Sequence, residues 1–302
     1  MLNSDCATDQ DIKVLDYTSP LLEKAMGSGL VNTTDEVIIQ NIKSSIRRGH
    51  PQIRPFPPQM DRVCLVGSGP SLQSTLPELK ELYFAGAKIV TVNGAYHWCI
   101  EHNLRPSTQI ILDARPGNKR FLEPAIPQCR YVLASQCAPE CWDIVEGRLE
   151  VWIFHASSGV DGPIREILDD YYRGQWFGVG GGVTVATRAI SLLRSVGYLR
   201  FDLFGIDSCW MGETHHAFPQ VENEGDLRFD LTLSLPEDET KCRRFTVSPW
   251  HLKQFEDFLQ VLRINGDQFL LNVHGDGLLA HAMRLLGAGD PSTWQFDLAE
   301  QR

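Results

Sequence analysis

The sequence predicts an α/β fold: a Rossmann-like, doubly wound and mainly parallel sheet, with an antiparallel hairpin and an N-terminal helical extension. Three observations carry that reading. Short apolar runs alternate with helical periodicities from residue 61 to residue 286. The first run, Val63–Val66, enters the turn Gly67-Ser68-Gly69-Pro70-Ser71 and then a helix with Leu72, Leu76 and Leu79 on one face. Later runs end in Asn93, Asp113 and Asp207, and open α/β sheets collect functional groups at the carboxyl ends of their strands.

Residues 1–58 read as the helical extension and its linker, and residues 59–302 as the α/β domain. Apolar positions in Ile12–Met26 and Val37–Ile46 have helical spacing, whereas the proline-rich stretch 51–59 does not sustain a helix. After the first strand and helix, Lys88–Val92 forms a strand that ends at Asn93-Gly94, followed by a helix over Ala95–His102. Thr108–Leu112 is the third strand and ends in Asp113-Ala114-Arg115. Arg130–Ala134 and Leu149–His155 read as strands around a short helix, Pro139–Val145, and Asp161–Tyr172 as the next helix. Four glycines between Gly178 and Gly182 then precede the apolar helix Val185–Val196. Glycine there is costly in chain entropy unless backbone passes close to something. A neighbouring strand would satisfy that; a second ligand-facing helix N-terminus is the preferred reading.

Arg200–Ile206 is the next strand, with Asp207 at its end and Trp210, Glu213, Thr214, His215 and His216 in the loop beyond. Adjacent side chains diverge on a regular strand, so at most one of the two histidines is expected at a site. Phe229–Leu233 and Arg243–Val247 form the hairpin, Pro249–Ile264 a helix, Gln268–Val273 the last strand before His274, and Leu278–Leu285 the last helix.

Composition narrows the function classes. With 43% apolar and 22% charged residues in 302, the chain is an ordinary folded protein, neither disordered nor fibrous. No apolar run reaches the ~18 residues of a membrane span, and the polar N-terminus is not a signal peptide, so a cytoplasmic setting is expected. The eight cysteines are irregularly spaced; Cys137 and Cys141 have no partner pair to complete a zinc site, and reduced thiols are expected. A net charge of −10 argues against a broad electrostatic grip on nucleic acid while leaving a local basic groove open.

The turn 67–71 offers backbone N–H groups, the Ser68 and Ser71 hydroxyls and a helix N-terminus, a setting for a phosphate-bearing ligand. Leu72 stands where the dinucleotide fingerprint needs a third glycine, and Asn93 where it needs an acid. No Gly-Lys-Ser/Thr follows, so the P-loop pattern fails too.

Taken together, GSGPSL after strand one, VNGAY after strand two, LDARP after strand three, GGGVTVA before a late helix, and LFGIDS with its Gly-Glu-Thr-His loop resemble the MptE-like family. That family is named for archaeal 6-hydroxymethyl-dihydropterin diphosphokinase. The layout is similar to CMP-sialyltransferases and flagellin-modifying glycosyltransferases, and LASQC, SPWH and VHGDGLLAH resemble single-domain phage and bacterial members. The resemblance implies a nucleotide-dependent transferase. It implies donor contacts at Gly67, Ser68, Gly69, Pro70, Ser71, Asn93, Gly94, Gly181, Gly182 and Thr184. Asp113 matches an acidic position near a diphosphate or its metal, and His215 or His216 falls in the acceptor region.

Two mechanisms follow. Diphosphotransfer from a nucleoside triphosphate such as ATP to a small hydroxyl acceptor, pterin-like, would use Mg²⁺ on Asp113 and Asp207, with Arg115 meeting developing charge. Glycosyl transfer from a CMP- or UDP-sugar to a glycan, a protein or a modified phage DNA base would use a histidine base from His216, His251 or His274. The first is ranked narrowly ahead. A non-catalytic nucleotide-binding protein is the third reading.

Overall fold

The computed structural model describes residues 33–147, 150–157, 162–219, 227–235, 238–265, 269–287 and 295–300. The predicted helix over Ile12–Met26 lies outside them. The first described helix, α1 (Asp35–Ile46), buries Ile42 and Ile46 in the main core. Its Asn41 amide donates to the carbonyls of Ala114 and Gln136 at 3.1 and 3.0 Å, and Ser45 Oγ donates to Ser135 O at 2.6 Å.

The central sheet has eight strands: β1 (Gln59–Val66), β2 (Lys88–Val92), β3 (Thr108–Ile111), β4 (Arg130–Ala134), β5 (Val151–Ala156), β6 (Gly178–Val179), β7 (Tyr198–Phe204) and β10 (Leu270–Val273). Their spatial order is β10-β7-β1-β2-β3-β4-β5-β6, and every pairing is parallel. β1 is the central strand, with Val63 to Val66 fully buried. Val63 and Leu65 enter one core cluster while Cys64 and Val66 enter a second. A parallel strand covered by helices on both faces reads as such a continuous apolar run.

Helices α2 (Leu72–Phe84) and α3 (Ala95–Glu101) supply Leu72, Leu79, Trp98 and Cys99 to the second cluster. The main cluster takes α1, α4 (Pro139–Val145), α5 (Pro163–Tyr172), α6 (Val185–Ser195), α7 (Pro249–Asn265) and α8 (Leu278–Leu286). The hairpin strands β8 (Phe229–Leu235) and β9 (Asp238–Val247) are antiparallel, as expected, but they belong to a separate sheet completed by β11 (Gln295–Glu300) in the order β11-β8-β9. Neither β11 nor the two-residue β6 is legible as a strand in the sequence; Gly178 and Val179 lack the apolar run that marks one. Among the described residues no helix is long and apolar enough to cross a membrane. Six of the free cysteines are buried and Cys242 is exposed.

Candidate functional site

β1 and β7 lie side by side, with Val66 opposite Phe204, so the turns that follow them meet. The first turn hydrogen-bonds to the second: Gly67 N–H donates to Phe204 O at 2.8 Å and Gly69 N–H to Gly205 O at 2.7 Å. A Cβ on Gly67 would stand 2.5 Å from Gly205 O, and one on Gly69 2.3 Å from Asp207 Oδ2. These glycines therefore permit two turns to pack together. Ser71 N–H donates to Asp207 Oδ2 at 2.9 Å, and Pro70 has no N–H. The expectation of a row of bare donors is thus corrected: in this turn only the Ser68 N–H has no acceptor among the described residues.

Asp207 is 4% exposed and ties three elements together. Its carboxylate holds the first turn, and its carbonyl accepts the N–H of Leu278 at 2.8 Å at the start of α8. Burial pushes its carboxyl above the ordinary range, against the lowering effect of the Ser71 bonds.

A pocket of about 190 Å³ opens at these strand ends. One wall is Gly67, Ser68 and Gly69, with Asn93 beside them at the end of β2. Asn93 adopts a left-handed φ of 47°, which asparagine tolerates better than most residues. Its Oδ1 is buried and has no hydrogen-bond partner among the described residues.

Facing this wall is the N-terminus of α6, with Thr184, Val185 and Ala186 in the lining. Thr184 caps the helix by accepting Thr187 N–H, and Gln254 of α7 donates to its Oγ1 at 2.9 Å. The first-turn N–H groups of Val185 and Ala186 have no acceptor among the described residues, the usual state of a helix start. The helix start that opens on the pocket therefore belongs to α6. Gly181 and Gly182 have φ of 95° and 86°, and a Cβ there would meet Ser191 Oγ at 1.9 Å and Thr187 Oγ1 at 2.2 Å. They close the backbone onto α6 and lie outside the pocket lining.

The third side carries His215, His216 and His251. Residues 205–219, beyond β7, are irregular, and they bring both adjacent histidines to one pocket with ring centroids 4.0 Å apart. The strand-based expectation that only one would face the site is corrected. Ser68 Oγ lies 3.0 Å from His216 Nδ1. His251 Nδ1 accepts the Ser248 N–H at 3.1 Å, which places the proton of the neutral ring on Nε2. Burial first, then the neighbouring His215 and His216, pushes its pKa down to about 3. His251 is a neutral N–H donor and not the base the sequence allowed.

Pro70, Ser71 and Gly94 lie outside the lining; a Cβ on Gly94 would meet Phe218 at 2.8 Å, so that glycine serves packing. His274 is also elsewhere, stacked on Phe204 and bonded to Glu78 and Asp202, both at 2.8 Å. Asp113 and Arg115 pair with each other at 2.6 Å at the end of β3. β3 is three strand spacings from β7, roughly 14 Å. A Mg²⁺ ion with oxygen ligands at ~2.1 Å does not reach both Asp113 and Asp207, so the shared metal site is corrected. Among the described residues no group of three or more His, Cys, Asp and Glu is placed to hold a metal. Sequence reasoning missed Gln254, Ser208 and Trp250. Gln254 was within reach, three residues after His251 on one helix face.

A groove of about 430 Å³ adjoins the pocket and shares His215 and His216 with it. Trp210 lies in its wall with the Arg228 guanidinium 3.7 Å from the ring centre.

The structure is similar to that of MAf glycosyltransferase from Magnetospirillum magneticum AMB-1, with a TM-score of 0.59 and 16% identity. That alignment covers 93% of this chain and 46% of the other, so the chain spans less than half of its length. The likeness is one of fold. A mammalian sialyltransferase aligns at a TM-score of 0.39 and 11% identity, over 86% of each chain. No functionally curated protein matches the sequence. A family model described as 6-hydroxymethylpterin diphosphokinase MptE-like matches residues 36–213, more than half of the chain. The chain belongs to the MptE-like family.

Proposed function

We propose that the chain transfers a glycosyl group from a nucleotide sugar, a CMP- or UDP-sugar, to a hydroxyl acceptor. The observation that carries this reading is the Ser68–His216 pair, 3.0 Å apart, facing the open N-terminus of α6 across one pocket. The acceptor hydroxyl enters from the groove lined by Trp210 and Arg228 and hydrogen-bonds to Ser68 Oγ. Its proton passes to Ser68 Oγ as the Ser68 proton passes to His216 Nδ1. The acceptor oxygen forms a bond to the anomeric carbon, the bond from that carbon to phosphate oxygen breaks, and the nucleotide leaves with the bonding pair. The Val185 and Ala186 N–H groups and His251 Nε2–H meet the charge that develops on it. Asn93, at the end of β2 in the same lining, contacts the nucleotide. Pocket and groove together fall in the ~300–1,000 Å³ range of small-molecule sites, whereas the pocket alone, at about 190 Å³, lies below it.

Diphosphotransfer from a nucleoside triphosphate is the second reading, favoured by the description of the matched family. The two part on the donor. Thermal-shift titration with CMP-sugars, UDP-sugars and ATP, each with and without Mg²⁺, separates them, because stabilisation grows with ligand concentration over Kd. The expected result is a shift with a nucleotide sugar, and loss of sugar transfer by about 10²–10⁴-fold in His216→Ala with the shift retained. A shift with ATP and Mg²⁺ alone would overturn glycosyl transfer in favour of the second reading.

A further inference from the structure

A second cavity is at the opposite end of the sheet. It has a volume of about 540 Å³, within the ~300–1,000 Å³ of small-molecule sites. It lies under the amino ends of β2, β3 and β4, between the sheet and the linker segment Gln52–Gln59. That segment is fixed at both ends: Ile53 N–H donates to Ile153 O at 2.8 Å, Phe56 N–H to Ser195 O at 3.0 Å, and Gln59 N–H to Gly197 O at 2.7 Å. A Cβ on Gly197 would stand 2.1 Å from Pro57 O, so the strap is seated directly on the turn after α6.

The lining divides by chemistry. Ile110 and Val132 of the sheet and Leu193 and Val196 at the end of α6 form an apolar floor. Arg54, Lys88 and Arg130 belong to the lining, and among the described residues no aspartate or glutamate lines the cavity. In a chain of net charge −10 this is a local concentration of positive charge. Lys88 and Arg130 pair outward with Asp61 and Glu150, whose side chains are 55% and 56% exposed. Such exposed pairs are weak competitors for a bound anion. Two polar atoms of the lining are buried without a partner among the described residues: Arg130 Nε, a donor, and Gln52 Oε1, an acceptor. Neither atom faces the open cavity, so recognition of an anion rests on the Lys88 and Arg130 charges.

We propose that this cavity is a second ligand site, for an amphipathic anion: an apolar body against Ile110, Val132 and Leu193, and one anionic head between Lys88 and Arg130. It is distinct from the donor pocket. α6 has its N-terminus at one cavity and its C-terminus at the other, and its 11 residues span roughly 16 Å.

The test is a fluorescence titration of the full chain with 1-anilinonaphthalene-8-sulfonate, followed by displacement with decanoate, decanol and decylammonium. The expected result is one saturable site, displaced by decanoate at about tenfold lower concentration than by decanol, and not by decylammonium. Leu193→Trp, which fills the floor, abolishes the signal, and Arg130→Gln weakens binding about tenfold. Unsaturable dye binding, equal displacement by the three compounds, or full affinity in a natively folded Leu193→Trp variant would each overturn the proposal. The displacement order is measured on the unaltered chain, so it decides the matter even if a variant does not fold.

Discussion

His155 shows what a single buried group imposes on the whole chain. It is the penultimate residue of β5, 1% exposed, packs 5.1 Å from the Tyr172 ring and 5.9 Å from Trp176, and neither ring nitrogen has a partner among the described residues. Burial, with a smaller push from Arg54, takes its pKa down to about 4. The native state thus keeps the ring neutral, while the unfolded chain binds a proton below about pH 6.5. Over that window the unfolded state holds more protons, so this contribution to stability is complete above pH 6.5, declines as pH falls towards 4, and is then exhausted. His251 acts with the same sign, with its window reaching to about pH 3. Urea unfolding midpoints measured from pH 7 to pH 4 should fall in the wild type and fall less in His155→Leu. At pH 7 the variant should be no less stable, and up to about 1 kcal/mol more so, because two unpartnered polar atoms are gone. An unchanged pH slope would show that His155 is not the neutral buried ring described.

Among the elements, the strand–turn–helix unit at Val63–Phe84 was legible because its signals are local: an apolar run, a glycine turn and a 3.6-residue periodicity. What the glycines are for was not legible. Their partner is a second turn 136 residues away in sequence, and nothing local announces that Gly205 O and Asp207 will sit where a Cβ would be. The rule that adjacent histidines diverge failed for a related reason, since it holds for a pleated strand and His215-His216 lies in an irregular loop. Gly69→Ala tests the packing account. The new methyl group must displace Asp207 Oδ2 and Gly205 O, which would stand 2.3 and 2.8 Å from it, and should cost about 3 kcal/mol in denaturant unfolding. Gly117→Ala is the matched control: its nearest neighbour would be the guanidinium end of Arg120 at 3.7 Å, an ordinary contact distance, and the change should stay within about 0.5 kcal/mol. Equal effects at the two positions would refute the turn-to-turn contact.

At the scale of the molecule, strand order decides which residues share a site. The sequence shows Asp113 and Asp207 as equivalent acids at strand ends, and an open sheet in sequential order would leave their separation unstated. The crossover that places β7 beside β1 sets Asp207 next to the first turn, with β2 between β1 and β3. The same crossover brings Ser68 and His216, 148 residues apart, into hydrogen-bond contact. This geometry predicts two different couplings. Groups further apart than about 7–10 Å and without a shared ligand act additively, to within ~0.5 kcal/mol, whereas groups in one hydrogen-bonded unit do not. A double-mutant cycle of Asp113→Asn with Asp207→Asn should therefore be additive in transfer rate. In a cycle of Ser68→Ala with His216→Ala, the second substitution should cost little once the first is made, because the proton relay is already broken. Strong coupling between the two aspartates would restore a common ion between β3 and β7, and additivity of Ser68 with His216 would remove the relay from the mechanism.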